Sequence, residues 1–314
     1  MILLQVIIFL LALLLIYAAV AYLIYQRVKP ALHACRDCAT PVTIKDYQLY
    51  YRVLGVDNGN PPVVLVHGGP GHSSLSFKDG FDFLAVRGRL IFYDQRGSGN
   101  SQTSLNTSDY TIEQLVDELE TLRSEVIQAE KIIVIAHSFG GALAQRYTLK
   151  YPEHVAKLIL VGSIRINNGM SNRFVWKWFG PALYSTAMGF PPGDAQAADQ
   201  WFTQSGDRDN PKRLYDAQRT DLLQNSGPVS FAPWREISFS LVGPDFKEEL
   251  SRLQTPTLCV YGAADSPYTG KPTATELAAL LSNSTLAGFD KSGHWPFLEE
   301  PQKFQQVLSD FLVK

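Results

Sequence analysis

The chain is 314 residues long, 46% of them hydrophobic and 18% charged, with a formal net charge of −2 at pH 7. So balanced a chain offers no electrostatic case for binding nucleic acid. Its length suffices for one large core or a core with an inserted subdomain, and it shows no internal repeat.

Residues 2–25 carry no charge, and Gln5 is the one strongly polar side chain among them. Twenty-four helical residues span ~36 Å, enough for a hydrocarbon layer of ~30 Å. Tyr17, Tyr22 and Tyr25 suit an interfacial belt, and Arg27, Lys29 and Pro30 follow at once. Residues 1–26 therefore read as a retained single-pass transmembrane anchor. The rival is a cleaved signal peptide, with Ala19-Val-Ala21 as its cleavage site. It fits less well, because no basic residue precedes the run and the run exceeds a signal h-region. Basic residues on the C-terminal side favour a membrane protein whose remaining chain is cytoplasmic. The Asn-x-Ser/Thr tripeptides at Asn106 and Asn283 pull weakly the other way.

Residues 27–45 read as a linker. It contains Cys35 and Cys38, a lone CxxC pair with only His33 nearby, short of the four ligands of a structural zinc site. The pair reads as a disulfide or two free thiols. Cys259, in an apolar run, reads as a buried small hydrophobe.

From there strands and helices alternate. The segment 48–53 alternates as a half-buried strand, whereas 63–67, 89–93, 131–136 and 155–161 are the continuous apolar runs of a covered parallel sheet. Thr111 opens a helix with Gln114 at capping-box spacing, and Ile112, Leu115, Val116, Leu119, Leu122 and Val126 mark its apolar face. A second helix runs to Tyr151, where Pro152 stops it. Residues 165–250 offer no convincing strand. Alternation resumes with a strand at 256–261, a helix over 273–281, a strand at 285–289 and a last helix from Pro301. The reading is an α/β fold, a doubly wound and mostly parallel sheet, with core segments 46–164 and 251–314 and a mostly helical insertion over 165–250.

Ala136-His-Ser-Phe-Gly140 joins a buried strand to a helix, the context a nucleophile elbow needs. The positions two before and two after Ser138 are small, Ala136 and Gly140, as the close strand–helix approach demands. A serine at such a junction is otherwise a helix cap. In that fold the acid and the histidine follow the serine in order. Asp265 and His294 each lie just beyond a strand, at the edge where open α/β sheets bind ligands. Asp290 competes for the acid role but stands only four residues before His294. Acyl chemistry also needs two N–H donors for the oxyanion. Phe139, after the nucleophile, supplies one, and Gly69 in His67-Gly-Gly-Pro-Gly71 supplies the other. His67 itself reads as a residue that stabilises its loop.

The motifs His67-Gly-Gly-Pro-Gly71 and Asp94-Gln-Arg-Gly-Ser-Gly-Asn-Ser101 together resemble the proline iminopeptidase group of α/β-hydrolases, over about residues 46–165 and 255–314. The resemblance implies a helical cap over the active site, matching the insertion, and a catalytic Ser138, Asp265 and His294 that need no metal or cofactor. The elbow departs from the pattern. That group carries Gly-Gly-Ser-Trp-Gly, whereas Ala-His-Ser-Phe-Gly is closer to esterases and lipases, so the departure touches residues that line the pocket.

The expected activity is a serine hydrolase working through an acyl-enzyme on a small-molecule or short-peptide substrate. Removal of N-terminal residues such as proline would need an anion for the substrate ammonium. The insertion's best candidate is Glu236, set among aromatics in Phe231-Ala-Pro-Trp-Arg-Glu236, with Arg235 as a competing partner. The alternative is a carboxylesterase or acylglycerol lipase. A reading from another class, a membrane-tethered binding module, is opposed by the presence of every needed residue in order. Nothing in the sequence fixes the oligomeric state.

Overall fold

In the computed structural model, residues 2–30, 42–44, 47–166, 173–241 and 245–313 are described. His33, Cys35 and Cys38 lie outside them. The elements in chain order are α1 (Ile2–Arg27), β1 (Val42–Ile44), β2 (Tyr47–Leu49), β3 (Tyr51–Leu54), β4 (Val63–Val66), β5 (Leu90–Tyr93), α2 (Ile112–Thr121), β6 (Ile132–His137), α3 (Phe139–Lys150) and β7 (Val155–Val161). Then come α4 (Arg173–Met188), α5 (Ala195–Asp209), α6 (Phe231–Ser240), α7 (Lys247–Ser251), β8 (Thr257–Gly262), α8 (Lys271–Leu280), β9 (Ser284–Phe289), α9 (Pro296–Glu299) and α10 (Pro301–Val313).

The main sheet has the order β3-β5-β4-β6-β7-β8-β9, with β3 antiparallel and the remaining pairs parallel. Its central strands are almost continuously apolar, with His137 at the end of β6 and Lys157 in β7 as exceptions, because both faces are covered. The two-residue period of a strand then sorts the side chains. Val64, Val66, Ile132, Val134 and Leu158 meet Leu115, Leu143 and Leu277 on one face. Val63, Leu65, Ile133, Ile135 and Ile159 meet Phe77, Phe81, Phe304 and Leu308 on the other. Burying one such side chain is worth ~1.5–3 kcal/mol, so the sheet is held mainly by this sandwich. The chain passes from β4 to β5 on one side and later to β6 on the other, which opens a crevice at their C-terminal ends.

Two local departures from the sequence pattern have physical causes. The strand expected over 48–53 breaks at Tyr50, whose N–H donates to Ser101 Oγ at 2.9 Å and whose carbonyl accepts from Asp94 N at 3.0 Å. The segment thus splits between the β1–β2 hairpin and β3 of the main sheet, and β1 falls within the stretch read as a linker. The capping bond of α2 forms, Thr111 Oγ1 accepting from Gln114 N at 3.2 Å. The helix then widens into a π turn over Leu122–Ile127, which buries Ile127 in the core and leaves Val126 half-buried.

Between β7 and β8 the described residues form helices α4 to α7 and no strand. In α1, residues 4–16 are exposed on all sides. Its C-terminal part is not. Ala18, Ala21, Tyr25 and Val28 are buried, and the Tyr17 and Ser185 hydroxyls lie 2.6 Å apart.

Candidate active site

Ser138 sits at the turn from β6 into α3 with φ 57° and ψ −120°, a conformation that L-residues adopt only where the surroundings enforce it. The surroundings do enforce it. A Cβ on Gly140 would lie 2.3 Å from the Val66 carbonyl oxygen, and one on Gly141 would lie 1.9 Å from Ser163 Oγ. The helix therefore approaches β4 and the turn after β7 closely enough that only glycine fits. Ser138 is partly exposed and its hydroxyl does not cap α3, so a helix-capping role is excluded. The turn places the half-buried Ser138 just past the C-terminal end of β6, at the crevice.

The Asp265 and His294 side chains meet. His294 Nδ1 lies 2.6 Å from Asp265 Oδ2. A carboxylate only accepts, so Nδ1 carries the proton and Nε2 is left as the basic nitrogen. Asp290, the competing acid, is exposed. Burial pushes the His294 imidazole down to about 4, with the Arg213 charge adding to that and Asp265 opposing it. Burial would raise the Asp265 carboxyl, but the bond from His294 and the charges of His294 and Arg213 hold it at about 2. The pair at neutral pH is thus a neutral imidazole on an ionised carboxylate, the resting state of a general base.

Arg213, from the helical insertion, carries no signal in the sequence and is the residue that sequence reasoning missed. Its Nη2 donates to Asp265 Oδ1 at 3.3 Å and to Thr269 Oγ1 at 2.9 Å, and its carbonyl accepts from His294 N at 2.8 Å. His137, buried beside the nucleophile, packs against His294 with ring centroids 4.5 Å apart and tilted by 47°, and donates from Nε2 to its carbonyl at 2.9 Å. Glu299 fixes the same loop by accepting from Gly293 N at 2.8 Å.

The glycine loop after β4 lies against the nucleophile, since a Cβ on Gly68 would fall 2.8 Å from Ser138 Cβ. Gly69 has φ 41°, and a Cβ there would fall 2.5 Å from His72 Cδ2. Among the described residues, neither the Gly69 nor the Phe139 N–H donates to a protein acceptor. Two unpaired backbone donors beside a strained serine are what an oxyanion site requires.

The second motif braces the first. Asp94 accepts from Ser74 N at 2.6 Å and Asn100 N at 2.7 Å, and Ser98 Oγ accepts from Gly71 N at 3.1 Å. His67 is fully buried, and burial holds it neutral. Its Nε2 accepts from Gln95 N at 3.0 Å while Gln95 Nε2 donates to the His67 carbonyl at 2.9 Å. His67 is thus a tie between the two loops.

Glu236 makes no hydrogen bond to Ser138, Asp265 or His294. Its carboxylate accepts from Arg235 Nε at 2.8 Å, and Arg235 is fully buried. No group of three or more His, Cys, Asp or Glu side chains able to hold a metal ion occurs among the described residues. Cys259 is buried and its thiol is pushed up to about 12, which makes it a packing residue.

A family profile described as the alpha/beta hydrolase fold matches residues 61–301. The proline iminopeptidase of Saccharolobus solfataricus is 28% identical over 289 residues, covering 84% of this chain and 88% of that protein. The proline iminopeptidase of Lactobacillus helveticus is 28% identical over 293 residues, covering 85% and 94%. Among solved structures, an esterase from Exiguobacterium antarcticum superposes with a TM-score of 0.64 at 21% identity, covering 87% of this chain and 98% of its own. The enol-lactonase from Burkholderia xenovorans LB400 gives 0.65 at 19%, covering 87% and 100%.

Proposed function

The chain belongs to the alpha/beta hydrolase fold family, and from that premise we propose that it is a membrane-anchored serine hydrolase with Ser138, Asp265 and His294 as its triad. The observation that carries the reading is the 2.6 Å His294–Asp265 bond beside the strained, uncapped Ser138. Ser138 Oγ attacks the acyl carbon as His294 Nε2 takes its proton. The Gly69 and Phe139 N–H groups hold the oxyanion, and the imidazolium protonates the departing amine or alkoxide. Water, deprotonated by the same nitrogen, then attacks the acyl-serine, and the acid leaves as Ser138 regains its proton. The helical insertion over 165–250 acts as a cap, with Arg213 reaching down from it to the acid. No metal or cofactor is needed. A fluorophosphonate probe should label the wild type and not Ser138→Ala, and that substitution should lower kcat by ~10⁶. A wild type that resists the probe, or a Ser138→Ala enzyme with full activity, refutes the reading.

The relatives favour a proline iminopeptidase-like aminopeptidase, cleaving small N-terminal residues such as proline from short peptides or amides. One observation favours the second reading, a carboxylesterase. The acid proposed to hold the substrate ammonium, Glu236, already pairs with Arg235. Aminoacyl amides, short esters and monoacylglycerols offered to the same preparation separate the two. Amides cleaved fastest support the first, and esters cleaved far faster than any free-amine amide support the second.

The anchor is proposed from α1, within Leu4–Arg27, whose most apolar 18-residue stretch has a mean hydropathy of 2.9. The basic Arg27 and Lys29 favour a single-pass membrane protein with a cytoplasmic catalytic domain. Carbonate extraction should leave the protein in the membrane pellet, and release into the supernatant would count against the anchor.

A further inference from the structure

We infer that α1 is a working part of the catalytic unit, because its C-terminal end, gripped by Arg235, positions α6 and through it the loop that carries the Gly69 oxyanion donor. The inference rests on the serine-hydrolase reading above and deepens it, making Arg235 a positioning residue.

The contacts form an unbroken path. Arg235 stands on α6 with 0% exposure, and among the described residues no fully buried side chain is larger. Its Nη1 donates to the Tyr25 carbonyl and, at 2.9 Å, to the Val28 carbonyl. Tyr25 lies in the last turn of α1, where carbonyls lack helical partners and the helix dipole attracts a cation. The Tyr25 ring also packs on Phe231 of α6 at 5.7 Å. A guanidinium this deeply buried is tolerable only with its acceptors in place, so α1 and α6 hold each other in one arrangement.

The other end of the path reaches the oxyanion loop. Ser230, which opens α6, donates from its N–H to the Gly71 carbonyl at 2.8 Å. A Cβ on Gly71 would fall 2.2 Å from the Ser230 oxygen and 3.3 Å from Trp234 N, so α6 lies directly on the loop. Trp234 packs on Phe202 at 4.8 Å, Phe202 meets the His72 ring at 6.0 Å, and that ring closes over Gly69. The same short helix thus holds the end of α1 with residue 235 and the loop with residues 230 and 234. A loop misplaced by ~1 Å can cost ~10²-fold in rate. A leader cut after Ala21 would strip away Tyr17, Ala18 and Ala21, which pack against Ala182 and Ser185.

The test uses the full-length protein in detergent or nanodiscs. Arg235→Met keeps the bulk and removes the donors, while Arg235→Lys keeps a cation. We expect Arg235→Met to lower kcat on an activated ester by ~10–100-fold with KM little changed. A trifluoromethyl ketone, which mimics the oxyanion, should weaken by a comparable factor, and Arg235→Lys should recover part of both. A merely structural Arg235 would lower Tm yet leave kcat and ketone affinity unchanged below it, and that result overturns the inference. Should Arg235→Met not fold, Ala21→Leu, a wedge between α1 and Ala182, is read by the same two measurements. A wild type that neither binds the ketone nor reacts with fluorophosphonate sinks the serine-hydrolase reading. A reactive wild type whose kinetics Arg235→Met and Ala21→Leu leave unaltered sinks only the role of α1.

Discussion

Replacing Arg213 by Gln tests whether the helical insertion tunes the base. The substitution removes a cation 3.3 Å from Asp265 Oδ1 and leaves the main-chain bond from His294 N to residue 213 in place. Unit charges at that separation interact by ~5 kcal/mol at an effective dielectric of ~20. Arg213 is 32% exposed, and solvent screening reduces the net effect to a small part of that. The sign follows from the causes. Burial first, then the Arg213 charge, depresses His294 to about 4, so loss of the charge raises it. Only the neutral imidazole accepts the Ser138 proton, so kcat/KM falls as pH drops through the His294 value. The acid limb of Arg213→Gln should therefore move to higher pH. It should stop short of the ordinary histidine value, because burial, the larger cause, remains. His137 packs against the same ring but is itself held neutral by burial, so it adds no compensating charge. The assay is kcat/KM for an activated ester over roughly pH 3 to 9, the range in which His and carboxyl groups titrate, with Arg213→Lys as the control that keeps the limb in place. A limb that stays put or moves down, in a variant with wild-type Tm, refutes the electrostatic role of Arg213.

Two further substitutions address the oxyanion site and the substrate. Gly69→Ala forces a Cβ against His72 at a position with φ 41°, so the loop must shift and the donor is lost. We expect kcat to fall by ~10²–10³ with KM little altered, measured on the same ester; a loss under threefold would remove Gly69 from the oxyanion hole. Glu236→Gln strips Arg235 of its carboxylate partner, and we expect similar losses on prolyl amides and neutral esters together with a lower Tm. A KM rise confined to prolyl amides would instead restore Glu236 as the ammonium site.

What the sequence revealed of this molecule follows the range of the interactions involved. The sheet strands were legible because burial on both faces leaves continuous apolar runs, and each run from 63–67 onward coincides with a strand to within a residue or two. The elbow was legible because Ala136, Ser138 and Gly140 answer to a steric demand a few residues long. The approach of Asp265 to His294 was legible from chain order and strand ends. Arg213 was not, since nothing local marks one arginine of a helical insertion as the partner of an aspartate 52 positions away. The break at Tyr50 was hidden for the same reason, because it depends on Ser101. The π turn after α2 escaped a reading that assumes a constant 3.6-residue period.

Arg235 shows why mechanism and specificity separate in this chain. Its guanidinium is buried beneath α1 and needs the Tyr25 and Val28 carbonyls and the Glu236 carboxylate to offset its desolvation. To capture a substrate ammonium, Glu236 would have to leave Arg235 with carbonyls alone, at a cost of several kcal/mol that the new ion pair must first recover. A charge already committed inside the fold is a poor recognition element. Glu236 makes no hydrogen bond to Ser138, Asp265 or His294, so its loss would reach acyl transfer only through Arg235. An ammonium site that leaves this ion pair intact would be another acid of the insertion. Without one, the proposed triad and oxyanion donors would serve neutral acyl substrates.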